Sequence, residues 1–147
     1  MFYICSYKMN KSKGKNQVSL PLQLCKVEAG FPSPADNYIE KELNLHDYLI
    51  DKPEATFLVR AKGESMINAG IFSGDILIVD RSLHAKNNDI VIATINGELT
   101  VKKLIKNGKS KFPLLKSENP EYPTIRLTDD CDIDIWGIVT YSIHPLR

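Results

Sequence analysis

The tetrapeptide Gly63-Glu64-Ser65-Met66 presents a hydroxyl at a sharp bend: Gly63 permits the turn after the strand-like run Phe57 to Ala61, and Ser65 stands at the entry to a short helical turn. By itself such a serine has two readings, an N-cap for the turn or a nucleophile, and the second requires a base. His46, His84 and His144 fall in a polar segment, a loop and the tail, and no spacing among them directs a histidine at Ser65. Lysine is the other base that a serine can use. In Val101-Lys102-Lys103-Leu104 strand alternation sends the two lysines to opposite faces, so at most one points inward. With a two-residue Asn96-Gly97 loop, Lys102 pairs with Val91 and shares its face with Ala93 and Thr100, surroundings apolar enough to desolvate an ammonium group. A lysine in water titrates near about 10.4 and is no base at neutral pH; burial lowers that value and makes the amine able to take the Ser65 proton. Cys5, Cys25 and Cys131 form an odd set without a C-x-x-C pair, so neither a disulfide framework nor a zinc cluster is indicated, and no metal or cofactor site is expected.

These side chains need a scaffold, and the chain from Thr56 onward reads as short β-rich runs separated by turns. The runs are Thr56 to Arg60, Ile76 to Val79, Ile90 to Ile95, Leu99 to Ile105, Thr124 to Leu127 and Ile133 to Ser142. Several short strands in one small domain predict a mostly β fold, a compact sandwich or barrel-like body. Asn96-Gly97 between β-branched runs predicts a tight type I′ hairpin turn, which needs positive φ at both central residues. Helix signals are sparse, one or two turns over Leu43 to Ile50 and one over Ser65 to Ala69 closed by Gly70.

Charge and composition narrow the field. At 147 residues with 43% hydrophobic and 25% charged composition the chain supports one core and an arm, and the absence of any apolar run near about 18 residues excludes a membrane span. The apolar opening Met1-Phe2-Tyr3-Ile4-Cys5 is the wrong order for a secretory signal, so a cytoplasmic location is expected. A net charge of +1 argues against a protein built to grip nucleic acid along a basic face. Residues 1 to about 17, rich in lysine and lacking carboxylates, read as a mobile arm. Gly30-Phe31-Pro32-Ser33-Pro34 forces an extended path and marks the boundary between arm and body.

Taken together, Gly63-Glu64-Ser65-Met66, Gly70-Ile71, the run Ser73 to Asp80, and Asn88 to Ala93 followed by Gly97 to Leu104 resemble the Ser-Lys autoproteases of the LexA and UmuD family. The motifs occur in order and with the right separations, from about Gly30 to the run Trp136-Gly137-Ile138-Val139. The resemblance implies that Ser65 is the nucleophile and Lys102 the general base. Val27-Glu28-Ala29-Gly30 resembles the family's Val-x-Ala-Gly cleavage site, implying self-cleavage between Ala29 and Gly30, stimulated by the RecA filament on single-stranded DNA. Small residues on both sides of that bond let a serine approach the carbonyl, and the prolines beyond keep the segment extended enough to lie along a sheet edge. Ala69-Gly70 repeats the dipeptide within or just after the helical turn that carries Ser65, where it should not be cut.

Repressors of this family carry a helix-turn-helix unit before the cleaved bond, which needs about 50 residues to build a core, whereas 29 precede the bond here. Phe31-Pro32-Ser33-Pro34-Ala35-Asp36 resembles the UmuD branch, although relatives there often have Cys-Gly in place of Ala29-Gly30. The resemblance then implies a flexible arm, residues 1–29, removed from an autoprotease and dimerisation domain, residues 30–147. The trimmed form would act as accessory subunit of a Y-family, UmuC-like polymerase in error-prone replication across damaged template. A homodimer is expected through the run Ile133 to Val139 as an edge strand; sequence-specific DNA binding and membrane attachment are not. Two other readings, a non-catalytic dimeric interaction module and a truncated LexA-like repressor fragment, differ in that neither yields a fragment beginning at Gly30.

Overall fold

A computed structural model describes residues 19–23, 29–30, 39–108 and 110–147. The lysine-rich stretch up to residue 17 and Val27, Glu28, Pro32, Pro34, Cys5 and Cys25 lie outside the described residues. The described residues fall into two compact units, one within residues 10–51 and the other within residues 52–147.

In the smaller unit β1 (Ser19–Gln23) and β2 (Ile39–Asn44) form an antiparallel pair, with Ser19 opposite Asn44 and Gln23 opposite Ile39. Neither strand stands out in the sequence: β1 contains Pro21, which demotes a run to an edge position, and β2 is largely polar. The helix α1 (Leu45–Leu49) falls inside the segment expected to make one or two turns. It starts where Asn44 Oδ1 accepts the amide N–H groups of His46 and Asp47, satisfying donors that have no partner within the helix.

The larger unit is one antiparallel sheet of β3 (Thr56–Arg60), β4 (Ile76–Asp80), β5 (Ile90–Ile95), β6 (Glu98–Ile105), β7 (Leu114–Lys116), β8 (Ile125–Arg126) and β9 (Ile133–Ile143). Their order is β3-β4-β9-β5-β6-β7-β8. The fold is therefore mostly β with few helices, as the strand runs indicate. β7 escapes a sequence scan because only three residues pair, between Pro113 and Ser117. At the β5–β6 turn both Asn96 (φ 49°) and Gly97 (φ 84°) have positive φ, the requirement of a type I′ hairpin. That turn sets the register Val91 opposite Lys102 and Ala93 opposite Thr100.

The core divides along the pleat. In β5, Ile92 joins Leu77, Val79, Met66 and Ile71 in one cluster, while its neighbours Val91 and Ala93 join Leu104, Leu115 and Ile138 in the other. Burial on both sides explains why Ile90 to Ala93 of β5 reads as a continuous apolar run rather than an alternating one.

The expectation of an edge strand over Ile133 to Val139 is overturned, since β9 stands third in the sheet and the edges are β3 and β8. Its 11 residues outrun either neighbour. Ile133 to Ile138 pair with β5 and Ile138 to Ile143 with β4, so one long strand from the end of the chain lies between two strands that are consecutive in sequence.

Candidate active site

Ser65 lies between β3 and a single 3₁₀ turn, Ile67–Ala69. Gly63 takes φ 90°, a left-handed value that L side chains rarely adopt, and its amide donates to Ser73 Oγ at 3.2 Å, so the bend before Ser65 is tied to the loop beyond it. The expected turn after Ser65 is present and closed by Gly70 (φ 77°), but it starts later than the sequence suggests. Met66 occupies the N-cap position and makes no side-chain capping bond, so the N-cap reading of Ser65 is not realised.

The Ser65 hydroxyl is engaged elsewhere. Lys102 Nζ lies 2.9 Å from Ser65 Oγ and 3.0 Å from the Val101 carbonyl, which it also contacts as a donor. Lys102 is 8% exposed and sits opposite Val91, with Ala93 and Leu104 in the same fully buried cluster. Burial pushes its amine below the ordinary lysine value, the direction that a base requires. Lys103 points the other way and pairs with Glu118 Oε1 at 3.2 Å. The alternation and register anticipated from the hairpin thus bring Lys102 to Ser65, although 37 residues separate them.

A cavity of about 440 Å³ adjoins the serine, lined by Val59, Leu77, Ile92, Leu99 and Trp136 among others, with Ser65 itself on the wall. Its walls are mostly apolar, with Thr100, Arg60 and Lys62 also on the lining, and suit an apolar stretch of polypeptide.

The turn carrying Ser65 is also gripped from the segment after β7. Asn119 Nδ2 donates to the Glu64 carbonyl at 2.9 Å, and the Asn68 amide donates to the Glu118 carbonyl at 3.0 Å. Sequence reading passed over Asn119; the Asn119-Pro120 dipeptide signals a turn, but nothing local says that the turn reaches Ser65.

The other candidates fall elsewhere. His144 Nδ1 lies 2.6 Å from Asp75 Oδ1 and its ring packs on Phe72, while Ser142 Oγ donates to Asp75 Oδ2 at 3.0 Å. A serine, a histidine and an aspartate meet here, yet both contacts run to the carboxylate, without the Ser-His hydrogen bond that a triad uses. Among the described residues no three His, Cys, Asp or Glu side chains are grouped to hold a metal ion. Ala29 and Gly30 are exposed bend residues in the connection from β1 to β2. Ala69-Gly70, the second copy of the dipeptide, ends the 3₁₀ turn, with the Gly70 amide donating to the Ile67 carbonyl at 3.0 Å.

Residues 21–140 match the Peptidase S24-like family. The chain is 42% identical over 140 residues to protein MucA of Escherichia coli, covering 92% of this chain and 94% of that protein. It is 45% identical over 134 residues to protein ImpA of Shigella flexneri, covering 91% and 90%. Similarity to the LexA repressor of Clostridioides difficile is 41% over 142 residues, 95% of this chain and 65% of the repressor.

Proposed function

The chain belongs to the Peptidase S24-like family as a UmuD-like member, and from that premise we propose that it cleaves itself between Ala29 and Gly30, with Ser65 as nucleophile and Lys102 as general base. The observation that carries this reading is the 2.9 Å approach of a buried lysine amine to a serine hydroxyl. In the working state the amine is neutral, and the same separation lets Ser65 O–H donate to Nζ. Lys102 accepts that proton as Ser65 Oγ attacks the Ala29 carbonyl carbon. The resulting ammonium returns a proton to the Gly30 nitrogen as the Ala29–Gly30 bond breaks, leaving Ala29 esterified to Ser65. Water, deprotonated by Lys102, then hydrolyses the ester and restores the serine. The Val101 carbonyl, 3.0 Å from Nζ, holds the amine in line between transfers. Exposure of Ala29 and Gly30 and their small side chains favour that bond, and the apolar cavity beside Ser65 suits the residues preceding it.

In this reading residues 1–29 are the arm that is lost and residues 30–147 the body that remains. Cleavage is stimulated by the RecA filament on single-stranded DNA, and the trimmed form serves a Y-family, error-prone translesion polymerase in the cytoplasm. The body acts as a homodimer. Tyr141 and Ile143, near the end of β9, are large, exposed side chains of the kind that an interface covers.

Incubation of the purified protein with and without RecA–single-stranded DNA, followed by intact mass measurement, tests the chemistry. The product expected begins at Gly30 and is absent from Ser65→Ala and Lys102→Ala; a different new terminus, or cutting by either variant, contradicts it. Primer extension across a damaged template by a Y-family polymerase, with trimmed against uncut protein, tests the partnership.

A further inference from the structure

The geometry points to Asn119 as a positioning residue for Ser65, a role that rests on the Ser65–Lys102 reading and adds a third member to it. Asn119 is 6% exposed, in the turn Ser117-Glu118-Asn119-Pro120 that follows β7. Its amide is used at both ends: Oδ1 accepts the Glu121 amide N–H at 3.1 Å, and Nδ2 donates to the Glu64 carbonyl at 2.9 Å. Because Glu121 offers only a donor and Glu64 only an acceptor, the side chain has one orientation that satisfies both.

The Glu64 carbonyl and the Ser65 N–H belong to one trans peptide plane and point in opposite directions. Holding the carbonyl therefore sets the direction of the Ser65 N–H and the axis about which the serine swings. A second bond, Asn68 N–H to the Glu118 carbonyl at 3.0 Å, pins the far side of the same turn. Both holds come from the segment that follows β7, and β7 pairs with β6 through Lys103 opposite Lys116. Lys102 is also on β6. The nucleophile and its base are thus located from a single two-strand frame, Lys102 directly and Ser65 through Asn119. A misplacement of about 1 Å at such a pair costs on the order of 100-fold in rate.

Asn119→Asp separates positioning from turn structure. The carboxylate keeps the acceptor for Glu121 N–H but has no donor for the Glu64 carbonyl; Asn119→Ala loses both. Two rates are measured on folded full-length protein well below its melting temperature: self-cleavage as a function of pH, and labelling of Ser65 by a fluorophosphonate, which needs no docking of the cleaved segment. The expected result is a fall of roughly 10- to 100-fold in the high-pH cleavage plateau and in labelling for both variants. In Asn119→Ala the pH midpoint stays where it is in the wild type, because Lys102 is untouched. A folded Asn119→Asp that cleaves and labels at the wild-type rate overturns the assignment, as does a folded Asn119→Ala that does so. Failure of both variants to fold also overturns it, placing the residue in the fold rather than at the serine. Absence of cleavage in the wild type is a failure of the autoprotease reading instead, and labelling still reports on Asn119 in that case.

Discussion

Lys102 is held where its charge is unwelcome. Burial lowers its pKa, so below the folded value the protonated amine penalises the native state in full, and the penalty fades as pH rises toward the unfolded value near about 10.4. Two outcomes follow from that sign. The rate of self-cleavage rises with pH through the folded pKa, measured by gel densitometry across buffers of constant ionic strength; a flat profile contradicts a lysine base. Lys102→Ala abolishes cleavage, while Lys102→Met, which keeps the volume, melts no lower than wild type at neutral pH and loses the rise of stability with pH. Lys103→Ala stays active, because its ammonium serves a partly exposed pair with Glu118 worth at most about 1 kcal/mol.

Strand β9 is shaped by a residue that has no side chain. A Cβ on Gly137 would lie 2.6 Å from Val79 Cγ1 and 3.1 Å from the Asp80 carbonyl oxygen, closer than van der Waals contact allows. The register of β9 shifts against β4 between Ile78 and Val79 and against β5 between Ile92 and Ala93, so the crowding falls where the strand changes partners. Gly137→Ala is expected to cost about 1–3 kcal/mol by overpacking, read as a lower urea midpoint with an unchanged slope. The end of β9 is locked by Asp75, fully buried, which also accepts the Phe72 amide at 2.9 Å. Burial raises its pKa, but the bonds from Phe72, His144 and Ser142 outweigh that and hold the carboxyl below its ordinary value. A depressed carboxylate stabilises the fold above its unfolded pKa and loses that contribution as pH falls through the folded one. Asp75→Asn should therefore be less stable at neutral pH and show a shallower acid-side decline in denaturation experiments.

For the whole chain, the two consequences of the proposed function are a severed arm and a paired body. A Cβ at Gly30 meets nothing within 4 Å, and the residue is exposed. Gly30→Trp should consequently leave the melting temperature unchanged while blocking approach of Ser65 to the Ala29 carbonyl, so no fragment appears by mass spectrometry. Light scattering should find a dimer at micromolar concentration, and Ile143→Asp, at an exposed position near the end of β9, should shift it toward monomer. A wild-type monomer contradicts the assembly.

What the sequence determined by itself is local. Positive φ at Asn96 and Gly97, the alternation that separates Lys102 from Lys103, and the Val91–Lys102 register all follow from a two-residue turn and a period of two. The strand runs from Thr56 to Arg60 and from Ile90 to Ile95 are legible for the same reason, since neighbours within a few residues supply the signal. Tertiary structure decided the rest: that Ser65 faces Lys102 rather than capping its turn, that β9 fills an interior position, and that Asn119 reaches Glu64. Each is a long-range pairing, settled by which partner satisfies a buried backbone or polar group once all the strands are in place, and no window of adjacent residues carries that information.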